Sequence, residues 1–327
     1  MEPSSSSSEA KEDRLREAII EARDLYIGYS VAEIRSEDIE PLAFFRDYVA
    51  LSRPCVIKGI ATDWPALTKW RTNEYLSEKL KDQPISVAFT PNGRADAVHV
   101  DEKTGQSWFV IPETRQITFD EFVQKLRDSE GGSEVPYCQL QNDSLRTEFD
   151  SLRSDVPDHI PFASRAFGKL PEVVNMWIGN SKSSTSFHKD HYENVYCVIS
   201  GRKHFSLLPP HEGHRLHMQS FPTASFKCSE EGAYDIVPDG HSVKWSALDL
   251  EAEKNREGDF QRYFDSSWPK VLECTVEAGD LLYLPACWHH YVSQSCDDEG
   301  RCIAVNYWYD MTFGPSYLGN RLAGIVL

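Results

Sequence analysis

The second half of the chain, from about residue 171 to 310, is a succession of short apolar segments separated by turn residues. The segments are rich in β-branched and aromatic residues, as strands are, and Gly, Asp and Pro lie between them. They span residues 175–179, 185–188, 195–199, 203–210, 271–276, 281–285 and 302–309. Few helical periods interrupt them, so the sequence predicts a mainly β fold with flanking helices, built as a two-sheet jelly roll.

Two pairs of these segments are close enough in sequence to predict β-hairpins. Segments 195–199 and 203–210 are joined by Ser200-Gly201-Arg202, and segments 271–276 and 281–285 by a turn that contains Gly279-Asp280. Short connections of this kind commonly join antiparallel neighbours. We therefore expect each pair to lie side by side in one sheet.

A metal-binding pattern accompanies the strands. His188 and Asp190 are two positions apart on a predicted strand, so their side chains point to the same side of the sheet. About a hundred residues later, Trp288-His289-His290 offers a histidine from a second strand. Two histidines and one carboxylate on one face of a metal are the ligand set of non-haem Fe(II) oxygenases. Structural zinc favours closed four-ligand sets, often with cysteine, and no C-x-x-C pair lies nearby.

The segment from about residue 171 to 310 resembles a JmjC domain, an oxygenase module with a cupin-like double-stranded β-helix. The resemblance is carried by the runs TSFHKDHYENVYCVISGRKHF, LPACWHHYV and AVNYWYDM. RPCVIKG and DWPALTKW extend it toward the N-terminus, to about residue 39. The chain is most similar to small JmjC-only protein hydroxylases, and among them to lysyl hydroxylases of translation-associated GTPases.

The expected organisation has three parts. Residues 1–9 are Ser-rich and predicted to be disordered. Residues 10–135 are expected to form helices and strands that pack on the barrel, with helices near 15–26, 41–51 and 118–127. Residues 136–327 form the JmjC double-stranded β-helix domain, with an insertion at about 213–258. An insertion at a barrel mouth is a suitable place for peptide specificity, although a solvated loop is the default expectation.

The resemblance also implies the site residues. It gives the metal to His188, Asp190 and His290, with His289 as the second choice for the last ligand. It implies Fe(II), the co-substrate 2-oxoglutarate and O₂. Lys203 matches the cation that pairs with the distal carboxylate of 2-oxoglutarate, since an unpaired buried charge is costly. The other pocket residues that it implies are Tyr137, Thr185, Asn194, Asn306 and Trp308.

Three functions follow from the resemblance. The first is hydroxylation of a protein side chain, with lysine as the favoured target. The second is demethylation of histone N-methyl-lysine by the same iron chemistry. Such demethylases commonly carry H-x-E and reader domains, whereas this chain has Asp190 and no reader motif. The third, a binding module without turnover, is disfavoured because the metal positions and Lys203 are complete.

Composition bears on partners and location. The net charge of −17 argues against direct contact with nucleic-acid phosphates and suits a basic, lysine-bearing protein partner. No apolar run approaches the roughly 18 to 20 residues that a membrane span needs. The eight cysteines form no regular framework, which favours the cytoplasm or the nucleus. A homodimer is an expectation from the resemblance alone.

Overall fold

A computed structural model describes residues 5–81, 83–129, 131–132, 134–251 and 260–326. In chain order, the strands are β1 (Ala32–Arg35), β2 (Cys55–Lys58), β3 (Ile85–Thr90), β4 (Arg94–Ala95), β5 (Ala97–Val100), β6 (Ser107–Ile111), β7 (Glu113–Ile117), β8 (Val135–Cys138), β9 (Val173–Gly179), β10 (Ser184–His188), β11 (Tyr192–Ser200), β12 (Arg202–Leu208), β13 (Gln219–Cys228), β14 (Tyr234–Trp245), β15 (Leu272–Glu277), β16 (Leu281–Leu284), β17 (His289–Ser295) and β18 (Cys302–Asp310). The α-helices are α1 (Ser5–Ala22), α2 (Pro41–Phe44), α3 (Pro65–Lys69), α4 (Asn73–Leu80), α5 (Phe119–Asp128), α6 (Pro161–Phe167), α7 (Gln261–Phe264) and α8 (Pro315–Val326).

Eight strands of the second half form the jelly roll. In the larger sheet, β16, β11, β18 and β9 are neighbours in that order, and in the smaller sheet β15, β12, β17 and β10 are neighbours. The chain therefore changes sheet at every step from β9 to β12, and again from β15 to β18. This alternation is the connectivity of a double-stranded β-helix, and the predicted fold class is confirmed.

The two predicted hairpins are wrong. β11 pairs with β16 and β18, whereas β12 pairs with β15 and β17, so the strands on either side of Gly201 belong to different sheets. β15 and β16 are separated in the same way. Gly201 has a φ of +72°, and a Cβ there would lie 2.5 Å from the carbonyl oxygen of Ser295. The turn thus carries the chain sharply over the barrel edge, and the two apolar strands face each other across the interior.

The core has two layers, and β18 separates them. Cys302 and Ala304 belong to the cluster inside the barrel, whereas Ile303, Val305 and Tyr307 belong to the cluster on the outer face of the larger sheet. Side chains of the N-terminal half of the chain, including those of α2 and α5, cover that outer face. Because both faces of β18 are buried, its sequence is an almost continuous apolar run rather than an alternating one.

Strands from the first 138 residues of the chain also extend the larger sheet. β1 and β2 add to the edge at β16, and β8, β3 and β7 add to the edge at β9, which makes nine strands. The boundary expected at residue 136 falls inside β8. α1 begins at Ser5, inside the segment that the sequence predicts to be disordered, and residues 1–4 lie outside the described residues. The helix predicted near 118–127 is α5, which a capping box between Thr118 and Glu121 begins.

The insertion predicted at about 213–258 contains a long hairpin of β13 and β14. β13 pairs in parallel with β6, and β6 pairs with β5, so the hairpin completes a separate four-stranded sheet. Residues 252–258 of the expected insertion lie outside the described residues. The insertion is thus ordered by strands from the first third of the chain.

Within the described ranges, no helix combines the length and the apolar character that crossing a membrane requires.

Candidate metal centre and co-substrate pocket

Three side chains form what we call the metal cluster: His188, Asp190 and His290. His188 ends β10 and lies opposite His290 on the neighbouring strand β17, and Asp190 follows β10 by two residues. The Asp190 Oδ2 atom lies 3.6 Å from the Nε2 atom of each histidine. One ligand atom from each residue lies within 4.8 Å of the others. The three donors can therefore hold one face of a single ion.

Backbone carbonyls orient both rings. The Nδ1 atom of His188 lies 2.8 Å from the carbonyl oxygen of Ser186, and that of His290 lies 3.0 Å from the carbonyl oxygen of Trp288. A carbonyl oxygen only accepts, so each ring carries its proton on Nδ1 and turns the Nε2 lone pair toward Asp190. Metal-binding histidines are commonly oriented in this way. The donor set and its orientation fit Fe(II).

The charges of the metal cluster favour a cation. Burial disfavours the charged form of Asp190, yet the nearby His188 and His290 bring its pKa down to about 2. Burial and then the charge of His188 lower the pKa of His290 to about 4. Burial also opposes protonation of His188, but the charge of Asp190 raises its pKa. A carboxylate and neutral imidazoles are the forms that bind metals, so binding a cation would release any proton held by His188.

His289 points away from the metal cluster. It directly precedes His290 on β17, so its side chain lies on the other face of the strand. Its ring packs against Gly213, where a Cβ would lie only 2.6 Å from the His289 Cε1 atom. Burial lowers the pKa of His289 to about 3, which keeps the ring neutral. The structure thus brings His290, the first choice of the sequence analysis, to the other two residues.

A cavity lies beside the metal cluster, between the two barrel sheets, and we call it the co-substrate pocket. Aromatic and aliphatic side chains make up part of its wall, and amide and hydroxyl groups project from it. Besides the metal cluster, its lining residues are Tyr137, Gln141, Trp177, Thr185, Asn194, Tyr196, Phe205, Val292, Asn306 and Trp308. Every pocket residue implied by the resemblance, except Lys203, lines this cavity.

Lys203 lies behind Tyr137 and is only 1% exposed. Its Nζ atom donates to the Tyr137 hydroxyl oxygen at 3.0 Å and to the side-chain oxygen of Gln294. Among the described residues, no carboxylate forms an ion pair with it. A buried cation without a counter-ion is costly, and an anion that enters the pocket would remove that cost. Lys203 therefore fits the distal carboxylate of 2-oxoglutarate.

Three hydrogen bonds around the pocket were not anticipated from the sequence. Gln294, which holds Lys203, also donates to the carbonyl oxygen of Asn180 at 2.7 Å. Trp177 Nε1 donates to the Asn306 side-chain oxygen at 2.8 Å, and the Asn306 amide donates to the Asn194 oxygen at 3.2 Å. Gln294 is four residues after His290 on the same strand, so period-two counting along β17 could have found it.

A second, larger cavity of about 520 Å³ also reaches the metal cluster, and it shares the lining residues Thr185, His188 and Asp190 with the co-substrate pocket. We call it the outer groove and define it by Asp96, Phe109, Gln139 and Trp245, together with the metal cluster residues His188 and Asp190 that also line it. The Trp245 ring is nearly parallel to that of His188, with 6.4 Å between centroids. The end of β14 thus forms one wall of an open route to the metal cluster.

Comparisons with known proteins agree with this architecture. The family described as "Cupin-like domain" matches residues 41–315. The chain is 42% identical over 306 residues to "Lysine-specific demethylase JMJ32" of Arabidopsis thaliana, covering 91% of this chain and 86% of that protein. It is 39% identical over 311 residues to "Bifunctional peptidase and (3S)-lysyl hydroxylase JMJD7" of Homo sapiens, covering 94% and 93%. The chain belongs to the cupin-like JmjC family.

A further JmjC relative is "JmjC domain-containing protein E" of Dictyostelium discoideum, 33% identical over 318 residues, with 91% of this chain and 89% of that protein covered. The predicted family and enzyme class are therefore confirmed, and this JmjC protein is a 2-oxoglutarate-dependent oxygenase. The roles of individual site residues stay predictions, which the geometry above supports.

Proposed function

We propose that this JmjC protein hydroxylates a lysine side chain of another protein, using Fe(II), 2-oxoglutarate and O₂. The observation that carries the proposal is the metal cluster beside a pocket whose buried cation, Lys203, has no carboxylate partner among the described residues. His188, Asp190 and His290 would hold Fe(II). When bound, Fe(II) with O₂ supplies the oxidising chemistry that converts a C–H bond to C–OH while 2-oxoglutarate is split into succinate and CO₂.

The protein's own contribution is orientation and exclusion of water. Lys203 and Tyr137 would fix the distal carboxylate of 2-oxoglutarate at the closed end of the pocket, and Thr185 offers a further hydroxyl. The amides of Asn194 and Asn306 are already hydrogen-bonded to each other, so they hold the pocket wall in place. Apolar side chains on both sheets keep the pocket closed to solvent on the side away from the outer groove.

Lysine is the proposed target because the names of two relatives refer to lysine. The net charge of −17 supports a basic partner by electrostatic steering, and a translation-associated GTPase is our first candidate. None of the eight cysteines is in a disulfide, which supports a location in the cytoplasm or the nucleus. The proposal needs no contact with nucleic acid, and a homodimer stays a prediction.

Demethylation of N-methyl-lysine is the second candidate function. Its support is the 42% identity to the Arabidopsis relative whose name is that of a lysine-specific demethylase. The same iron chemistry would place the hydroxyl group on an N-methyl carbon, which then leaves as formaldehyde. Asp190, where such demethylases commonly have Glu, favours the hydroxylase.

Mass spectrometry separates the two candidates. The purified protein is incubated with Fe(II) and 2-oxoglutarate, and with either a lysine-bearing peptide from a translation-associated GTPase or a trimethyl-lysine histone peptide. We expect the first peptide to gain one oxygen atom and the second to keep its methyl groups. Loss of methyl groups without a gain of oxygen would favour the demethylase, and an oxygen gain that persists in Asp190→Ala would contradict the metal assignment.

A further inference from the structure

Asp96 occupies an unusual position in the wall of the outer groove. It joins β4, which pairs with β10 of the smaller barrel sheet, to β5 of the four-stranded sheet. Its φ is +50°, a left-handed conformation that few residues other than glycine, asparagine and aspartate adopt readily. Such conformations persist where the surroundings impose them, and they are common at functional sites.

Ser186 fixes Asp96 relative to the metal cluster. The Ser186 hydroxyl donates to the backbone oxygen of Asp96 at 2.5 Å and accepts a hydrogen bond from Trp245 Nε1 at 2.9 Å. The carbonyl oxygen of the same serine accepts from the His188 ring at 2.8 Å. One residue of β10 therefore sets the positions of a metal ligand, the aromatic wall and Asp96 together.

The Asp96 carboxylate has few partners of its own. Its Oδ2 atom accepts one hydrogen bond, from the Gln139 side chain at 3.1 Å. Among the described residues, no cation forms an ion pair with it. Arg94, two residues away, is paired with Asp249 at 2.8 Å, and Lys189 lies exposed at the groove's rim. Burial raises the pKa of Asp96, although His188 and Gln139 act in the opposite direction. A cation with N–H donors would complete the carboxylate's interactions.

The groove wall beside Asp96 is aromatic. The rings of Phe109 and Trp245 lie 4.7 Å apart between centroids, and both line the outer groove. A lysine side chain has an apolar four-carbon stem and a charged tip, so it can lie along aromatic rings while its ammonium reaches a carboxylate. The wall and Asp96 together match that shape and charge.

We propose that Asp96 is the specificity-determining residue that accepts hydrogen bonds from the ammonium group of the substrate lysine in the outer groove. This inference rests on the proposed function, and it names the residue that selects the lysine for hydroxylation. It follows that unmodified lysine is preferred over trimethyl-lysine, because the trimethylated nitrogen has no N–H to donate. Uncharged side chains of similar length are rejected because they leave the carboxylate without a partner.

The test compares two peptides on two forms of the protein. The peptides are a lysine-bearing peptide from a translation-associated GTPase and the same peptide with norleucine in place of the lysine. The variant is Asp96→Asn, because asparagine has the same shape, tolerates the left-handed backbone and still accepts from Gln139. Asp235→Asn, an exposed carboxylate of β14 paired with Lys103, is the matched control. Peptide binding is measured by calorimetry on protein loaded with Fe(II) and 2-oxoglutarate without O₂.

We expect the unaltered protein and Asp235→Asn to bind the lysine peptide about 10 to 100 times more tightly than the norleucine peptide. Asp96→Asn should bind the two peptides with affinities within about twofold. A general structural defect would weaken the binding of both peptides alike and leave the ratio of their affinities unchanged. If Asp96→Asn keeps the affinity ratio of the unaltered protein, the inference is therefore overturned. Equal binding of the two peptides by the unaltered protein overturns it as well, without any variant.

The same preparations distinguish this inference from the proposed function. After O₂ is admitted, mass spectrometry follows oxygen gain on the lysine peptide. A lysine preference that depends on Asp96, without any oxygen gain, supports the inference and contradicts hydroxylation. Oxygen gain with a lysine preference that does not depend on Asp96 contradicts the inference and supports hydroxylation.

Discussion

The barrel interior and the outer groove meet at the metal cluster, and they are built in different ways. The co-substrate pocket consists mostly of side chains at alternate positions of barrel strands, as Asn306 and Trp308 are on β18. The outer groove combines Asp96, from the first third of the chain, with Trp245, from the end of the insertion. Strand geometry thus places the metal cluster and the co-substrate pocket, whereas segments added to the barrel form the groove that we propose selects the substrate.

The largest expected effect separates two adjacent histidines on β17. His290→Gln removes a donor from the metal cluster, and we expect 2-oxoglutarate turnover to fall more than about 100-fold. Substituting a residue that only hydrogen-bonds a metal ligand can already lower metal affinity or activity about 10- to 100-fold. His289→Gln changes the opposite face of the strand, so it should lower the unfolding temperature and retain turnover. Succinate formation measured on both variants checks this, and equal losses would contradict the assignment of His290.

Lys203 tests the closed end of the co-substrate pocket. Lys203→Met removes the cation expected to pair with 2-oxoglutarate, so the KM for 2-oxoglutarate should rise about 100-fold, which corresponds to about 3 kcal/mol. Without co-substrate, the variant should unfold at the same or a higher temperature, because a buried unpaired charge has been removed. Arg202→Met, whose side chain is exposed and paired with Glu277, is the control. A KM change below about threefold in Lys203→Met would mean that another group binds the anion.

Trp245 tests the outer groove in the same way. Trp245→Ala should raise the KM for a peptide substrate about tenfold, typical of a buried aromatic contact at an interface, and the KM for 2-oxoglutarate much less. Trp108→Ala, from β6 of the same sheet but with its side chain away from the groove, controls for loss of sheet stability. Equal effects of the two substitutions on the peptide KM would show that the groove wall does not contact the substrate.

The smallest effect concerns acid stability of the four-stranded sheet. His99 on β5 is buried, and burial followed by the charge of Arg94 lowers its pKa from 6.5 to about 4. Between pH 4 and pH 6.5, His99 is therefore protonated in the unfolded chain but neutral in the folded chain. Stability is retained above pH 6.5 and lost as the pH falls toward 4, by about 1 kcal/mol between pH 6.5 and 5.5. Denaturant unfolding at both pH values should show a smaller loss in His99→Gln, and an equal loss would exclude His99 as the cause.

The sequence predicted the barrel interior better than the outer groove. H-x-D at residue 188 and the period-two pattern of β18 are local signals, and the structure brings the predicted side chains together. The connections were wrong because a tight turn such as that at Gly201 does not reveal whether its flanking strands pair. β14 contains Pro238 and Gly240 and has weak strand character, so its sheet could not be predicted.

Long-range strand pairing is the other reason why the outer groove was harder to predict than the barrel interior. β13 pairs with β6 across more than a hundred residues, and no local pattern in either strand specifies its partner. The left-handed backbone at Asp96 is likewise imposed by the change from one sheet to another. Residues placed by such contacts are visible only in the folded chain, and in this protein they line the groove proposed to select the substrate.

The most direct test of the central claim is the ultraviolet–visible absorption of the protein, titrated with Fe(II) and then with 2-oxoglutarate in the absence of O₂. If the metal cluster holds Fe(II) with an open face beside the co-substrate pocket, the unaltered protein should develop a charge-transfer band that saturates at one Fe(II) and one 2-oxoglutarate per chain. Asp190→Ala should develop no band. A band of the same intensity in Asp190→Ala, or no band in the unaltered protein with both ligands bound, would contradict the claim.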